Sequence, residues 1–125
     1  MDRLPTPSWT PPLSLAGFTA AEQTALIREL IETFVQDGER QIGLLQAAAA
    51  AGDAKALARI SHSLKGSAQA MGAEAMVELA RSIEDSARSG TQRDYAAEAA
   101  RLSAAFEQVR AAMLAYCSSA PGLNG

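Results

Sequence analysis

The sequence predicts an all-α protein, an antiparallel up-and-down four-helix bundle with room for an additional short helical segment near its N-terminus. Three observations carry that expectation. Apolar residues recur at three- and four-residue intervals from Leu26 to Tyr116, the period of helices that each bury one face. Glycines and N-cap residues interrupt this pattern at Gly52-Asp53, Gly72 and Gly90-Thr91, leaving helical segments joined by short connections. Apolar residues make up 48% of the chain and aromatics only 5%, which suits packed helices better than a β-sandwich.

Residues 1–18 form a Pro-rich N-terminal tail or linker, with Pro5, Pro7, Pro11 and Pro12 favouring extended backbone. Trp9 in this stretch is a candidate to fold back onto the bundle. Thr19 and Glu22 have the spacing of a capping box, and Leu26, Ile27, Leu30, Ile31 and Phe34 follow at helical period. The pattern resumes after Gly38 at Ile42, Leu45 and the Ala47–Ala51 run, so a break at Gly38 and a continuous helix are both open. Gly52 then reads as a helix stop and Asp53 as the next N-cap, which makes a tight antiparallel hairpin.

The second helix is expected from about Ala54 to Met71, ended by Gly72. The third carries Met76, Leu79, Ile83 and Ala87 as its inner stripe and stops at Gly90. Thr91 and Asp94 open the fourth, in which Tyr95, Ala99, Leu102, Phe106, Val109, Met113 and Tyr116 step by alternating four and three. That spacing is a packing seam, and packing explains every aromatic in it. The bundle domain is placed at residues 19–117, followed by a disordered tail over residues 118–125.

His62, the single histidine of the chain, lies in the second helix. Counting about 100° per residue from Leu57, the apolar residues Ile60, Leu64, Ala68 and Met71 fall within about 60°, whereas His62 falls about 140° away. The imidazole is therefore predicted to face outward, with Lys65, Gly66 and Gln69 beside it on the same face. Glycine inside a helix costs about 1 kcal/mol relative to alanine. In a chain that uses alanine wherever a small residue serves, Gly66 one turn from His62 marks bare backbone that another protein can approach. Lys65 brings an ammonium within reach of an anion carried on the ring.

The run His62-Ser63-Leu64-Lys65-Gly66-Ser67-Ala68, continuing through Met71-Gly72-Ala73, resembles the signature of histidine phosphotransfer (HPt) domains of bacterial phosphorelays. The resemblance extends over roughly residues 22 to 117, through the Gly52-Asp53 break and the Leu79 to Arg88 segment. It implies that His62 accepts a phosphoryl group on Nε2, that Lys65 supplies charge stabilisation and that Gly66 gives partner access. It also implies that Glu84, on the next helix, hydrogen-bonds the other ring nitrogen. The partners it implies are response-regulator receiver domains, with a hybrid histidine kinase as a further partner. The Mg²⁺ of the reaction is expected on the receiver, and the chain is expected to need no cofactor of its own. Arg59, Ser63, Gly66, Gln69 and Ala70 flank His62 and are the expected partner-binding face, together with part of the preceding helix.

Other function classes lack their parts. No Gly-rich phosphate loop or GxxxxGK[ST] run is present for an ATP-using kinase. A bundle metal site wants Glu-x-x-His pairs, but position 59 is arginine, so no metal is expected. Ser61 and Ser63 adjoin His62 in sequence and point elsewhere, which excludes a Ser-His-Asp arrangement. The net charge of −3 and scattered basic residues leave no nucleic-acid footprint. The single Cys117 has no internal partner, and no long apolar span predicts membrane insertion. The expectation is a cytoplasmic, monomeric phosphoryl carrier rather than an enzyme. Two alternatives stand beside it: the phosphotransfer domain of a chemotaxis-type histidine kinase, and a non-catalytic helical binding module.

Overall fold

The architecture follows from how the apolar stripes are cut by caps. The structure, a computed structural model, describes residues 9–11 and 15–119. Helix α1 spans Ala20–Ala51, α2 Ala54–Ala70, α3 Glu74–Ser89 and α4 Tyr95–Ser119. Each helix packs against its neighbours in sequence and α1 also closes against α4, whereas the diagonal pairs make no close backbone approach among the described residues. That is a four-helix bundle wound in chain order. The most intimate pair is α2 with α3, the pair that carries His62 and Glu84. Leu45, Leu57, Leu64, Met76, Ile83, Leu102 and Met113 fill the centre.

The helix ends are set by the residues that the spacing singled out. Thr19 Oγ1 accepts from Glu22 N–H at 3.1 Å while Glu22 Oε1 accepts from Thr19 N–H at 2.8 Å, a complete capping box. Gly52 ends α1 in the left-handed region, with φ 66°, where a Cβ would be strained. Asp53 Oδ1 then accepts from Ala56 N–H at 3.1 Å, so α1 turns into α2 with almost no loop. At α4 the cap is Asp94, whose Oδ1 accepts from Ala97 N–H at 3.0 Å; Thr91 does not cap that helix.

Gly38 does not break α1. The helix runs through it for 32 residues, and the glycine is there for space. A Cβ built on it would strike the ring of Phe106 on α4, itself packed on Phe34 with centroids 5.8 Å apart. The cut that glycine suggests in one dimension is a close approach between α1 and α4 in three.

Three boundaries differ from the sequence expectation. No additional N-terminal helix is present among the described residues, where positions 16–18 make only a turn before the capping box. α2 stops at Ala70 with Met71 as its C-cap, one residue early. α4 continues through Ser118 and Ser119, so the tail expected from 118 begins with two helical residues, and residues 120–125 lie outside those described.

Of the expected N-terminal tail, residues 1–8 and 12–14 lie outside those described, and the described part contributes to the bundle. Trp9 folds back as anticipated, its Nε1–H donating to the Met71 carbonyl at 2.7 Å and its ring meeting Tyr116 edge-on at 5.5 Å. It thereby satisfies a carbonyl left open at the end of α2. Leu15 also packs against the core.

Gly38 and Gly66 give opposite predictions for the same substitution. For Gly38→Ala, overpacking of about 1–3 kcal/mol opposes a propensity gain of about 1 kcal/mol, so denaturant unfolding should show a net loss of up to about 2 kcal/mol. For Gly66→Ala, where a Cβ meets nothing within 4 Å, the same measurement should show a gain of up to about 1 kcal/mol. Equal effects at the two sites would contradict the packing role of Gly38.

Candidate functional site

The outward tilt of His62 and the inward tilt of Glu84 are both consequences of helical phase. His62 lies opposite the Leu57, Ile60 and Leu64 stripe, and its side chain is 63% exposed. Glu84 follows Ile83 and precedes Ala87 on the inner side of α3, and it is buried at 4% exposure. A carboxylate in that position needs several donors to replace water. Oε1 accepts from Lys65 Nζ at 2.7 Å. Oε2 accepts from Arg88 Nε at 3.0 Å and Nη2 at 2.8 Å, and it lies 2.9 Å from His62 Nδ1.

The charge state of Glu84 settles the direction of that last bond. The hydrogen bond from Lys65 lowers its pKa, burial opposes, and the bonds from Arg88 and His62 lower it further, leaving it at about 2 against an ordinary 4.5. Glu84 is thus a carboxylate, able only to accept, so Nδ1 carries the proton. In the neutral ring the lone pair is then on Nε2. The nitrogen directed away from Glu84 is the nucleophilic one.

Lys65 sits beside the imidazole through this shared carboxylate. Its ammonium is committed to Glu84 and its side chain is only 21% exposed. Gly66 is exposed, with open space where a Cβ would be. Arg59, Ser63, Gln69 and Ala70 are all exposed on the face of α2 that carries His62, and of these Arg59 borders the same cleft as the ring. Ser63 is tied down by Gln41 of α1, whose Nε2–H donates to Ser63 Oγ at 2.6 Å.

Two participants escaped the sequence reading. Arg88 was legible as the i+4 partner of Glu84, a spacing that favours an acid followed by a base. Gln41 carried a fainter signal: it is a polar residue on the inner stripe of α1, three after Gly38 and four before Leu45.

Clefts flank the histidine face on both sides. Between α2 and α3 a cleft of about 480 Å³ is bordered by His62, Lys55, Arg59 and Arg88 over a floor of alanines. Between α1 and α2 a more apolar cleft of about 500 Å³ runs past Leu26, Phe34, Ala70 and Met71. No helix among the described residues is long and apolar enough to cross a membrane.

Comparison with known proteins agrees with this geometry. No curated protein matches the chain. The family model described as the Hpt domain matches residues 29–112. Among solved structures, the crystal structure of histidine-containing phosphotransfer protein B (HptB) from Pseudomonas aeruginosa PAO1 is similar, with a TM-score of 0.70 and 29% identity over 84% of this chain and 97% of that one. An exposed imidazole on a four-helix bundle, within a match that spans most of the chain, leads to one conclusion: the chain belongs to the Hpt domain family.

Proposed function

We propose that the chain carries a phosphoryl group on His62 Nε2 between the aspartates of response-regulator receiver domains, one of which can belong to a hybrid histidine kinase. The observation that carries this reading is the bond from His62 Nδ1 to Glu84 Oε2 at 2.9 Å. It leaves Nε2, which holds no proton in the neutral ring, facing solvent. In the transfer the Nε2 lone pair attacks phosphorus, the N–P bond forms, the P–O bond to the aspartate breaks, and the carboxylate leaves with the electron pair. No proton has to leave Nε2. Positive charge grows on the ring as the lone pair is donated, and the Glu84 carboxylate behind Nδ1 offsets it.

Lys65 supports this chemistry by balancing the charge of Glu84 and fixing its orientation. Gly66 gives the incoming receiver clearance, and Arg59, Ser63, Gln69 and Ala70 form the docking face with the adjoining side of α1. The receiver supplies the Mg²⁺ and the reactive aspartate, so the chain acts as a monomeric carrier without an ATP site or a cofactor of its own. We place it in the cytoplasm, where its unpaired Cys117 fits a reducing compartment.

Incubation with a phosphorylated receiver and Mg²⁺ should yield an acid-labile, base-stable phosphoprotein, and His62→Gln should abolish it with the helical circular-dichroism spectrum intact. Label persisting in that variant rules out His62 as acceptor. Mg-ATP alone should leave the purified chain unlabelled, whereas stoichiometric self-labelling would make it a kinase.

At Gly66 a bulky side chain should obstruct docking. Gly66→Gln should slow transfer by about tenfold to a hundredfold while remaining folded. A normal rate would place the docking face elsewhere.

Glu84 couples the site to acid stability. Its pKa is depressed in the folded state, from 4.5 to about 2, so its contribution is complete above pH 4.5 and is lost as pH falls toward 2. Urea unfolding across that window should therefore fall more steeply for the wild type than for Glu84→Gln. Parallel curves would mean that the carboxylate is not paired in the folded protein.

A further inference from the structure

Once phosphorylated, His62 carries a dianionic group, and the cations around it are not equally free to meet it. Lys65 Nζ lies 2.7 Å from Glu84 Oε1, and Arg88 places Nε and Nη2 on Glu84 Oε2. Both are committed to the carboxylate on the Nδ1 side of the ring. Arg59 has no hydrogen-bond or ion-pair partner among the described residues, and it borders the same cleft as His62. It stands three residues before His62 on α2, a spacing that makes their side chains neighbours. Side chains on a helix lean toward its N-terminus, so the imidazole inclines over the turn that carries Arg59. Ala54, Ala58 and Ala87 line the cleft with small side chains, which leaves space for the tetrahedral group.

We propose that the α2–α3 cleft is the seat of the phosphoryl group and that Arg59 is the residue that grips it, its guanidinium fork taking two phosphoryl oxygens. This rests on the carrier reading above. It divides the basic residues by task. Lys65 and Arg88 hold the ring through Glu84, and Arg59 holds what the ring receives. Lys55, one turn further along α2 in the same cleft, adds charge at its outer end. Among the described residues, the resting protein therefore keeps a guanidinium without a partner until phosphorylation creates one.

The test uses the full chain and a chemical donor, so that neither a receiver nor a kinase enters. With phosphoramidate the Nε2 lone pair attacks phosphorus, the P–N bond of the donor breaks and ammonia leaves. The second ionisation of the phosphoryl group is then followed by ³¹P NMR against pH in the wild type, Arg59→Gln, Arg59→Lys and Lys65→Ala. A cation in contact with the dianion lowers that ionisation. Arg59→Gln should raise the midpoint by about half a unit or more, Arg59→Lys should restore part of the shift, and Lys65→Ala should move it less than Arg59→Gln. Arg59 is exposed and has no partner among the described residues, so Arg59→Gln should keep the wild-type melting temperature. A midpoint unchanged in Arg59→Gln, or moved at least as far by Lys65→Ala, overturns the assignment while leaving the carrier reading intact. A wild-type chain that takes no phosphoryl group on Nε2 overturns both.

Discussion

The site depends on a carboxylate placed where water cannot serve it. Glu84 is buried against α2, and an ionised carboxyl group there is tolerable only because Lys65, Arg88 and His62 supply its hydrogen bonds. That requirement works in both directions. The cations keep Glu84 ionised, and the ionised Glu84 dictates which nitrogen of His62 holds the proton. A neutral acid at this position could donate to Nδ1 and reverse the tautomer. The charge balance of the network is thus what makes Nε2 the outward nucleophile.

The bundle exists to hold these groups in register. The phase of α2 turns His62 out and Leu57, Ile60 and Leu64 in, and the phase of α3 turns Glu84 toward α2 alongside Ile83 and Ala87. A short hairpin at Gly52-Asp53 and the close packing of Phe106 against Gly38 keep α1 and α4 tight around that pair. Support reaches the far end of α2 as well, where Trp9 takes up the Met71 carbonyl. His62 itself is left nearly unencumbered, with its side chain 63% exposed, which suits the phosphoryl transfer proposed for it.

Much of this was legible in the sequence because it is governed by local periodicity. The exposure of His62, the capping box at Thr19 and the Gly52-Asp53 turn follow from spacing alone. Glu84 could be matched to its position through the family resemblance, but its burial depends on how α3 docks on α2, which no local pattern states. Gly38 shows the same limit: a glycine in a helix reads as a weakness until the ring it accommodates, 68 positions later in the chain at Phe106, is brought beside it. Gln41 carries little signal because its partner Ser63 is on another helix, whereas Arg88 stands at a legible i+4 spacing from Glu84 and matters only because that glutamate is buried. Sequence reading recovers faces well and cross-helix partnerships poorly, since contacts between helices are fixed by packing rather than by spacing.

The chemistry of the site turns on Glu84 holding the proton of His62 on Nδ1. Long-range ¹H–¹⁵N NMR of the imidazole tests it directly, and with one histidine in the chain the ring signals need no assignment. At a pH where the ring is neutral, the two nitrogens should be resolved, with the proton-bearing signal at Nδ1 and the lone-pair signal at Nε2. A neutral ring protonated on Nε2 would contradict this role of Glu84, because the outward nitrogen would then have no lone pair to offer.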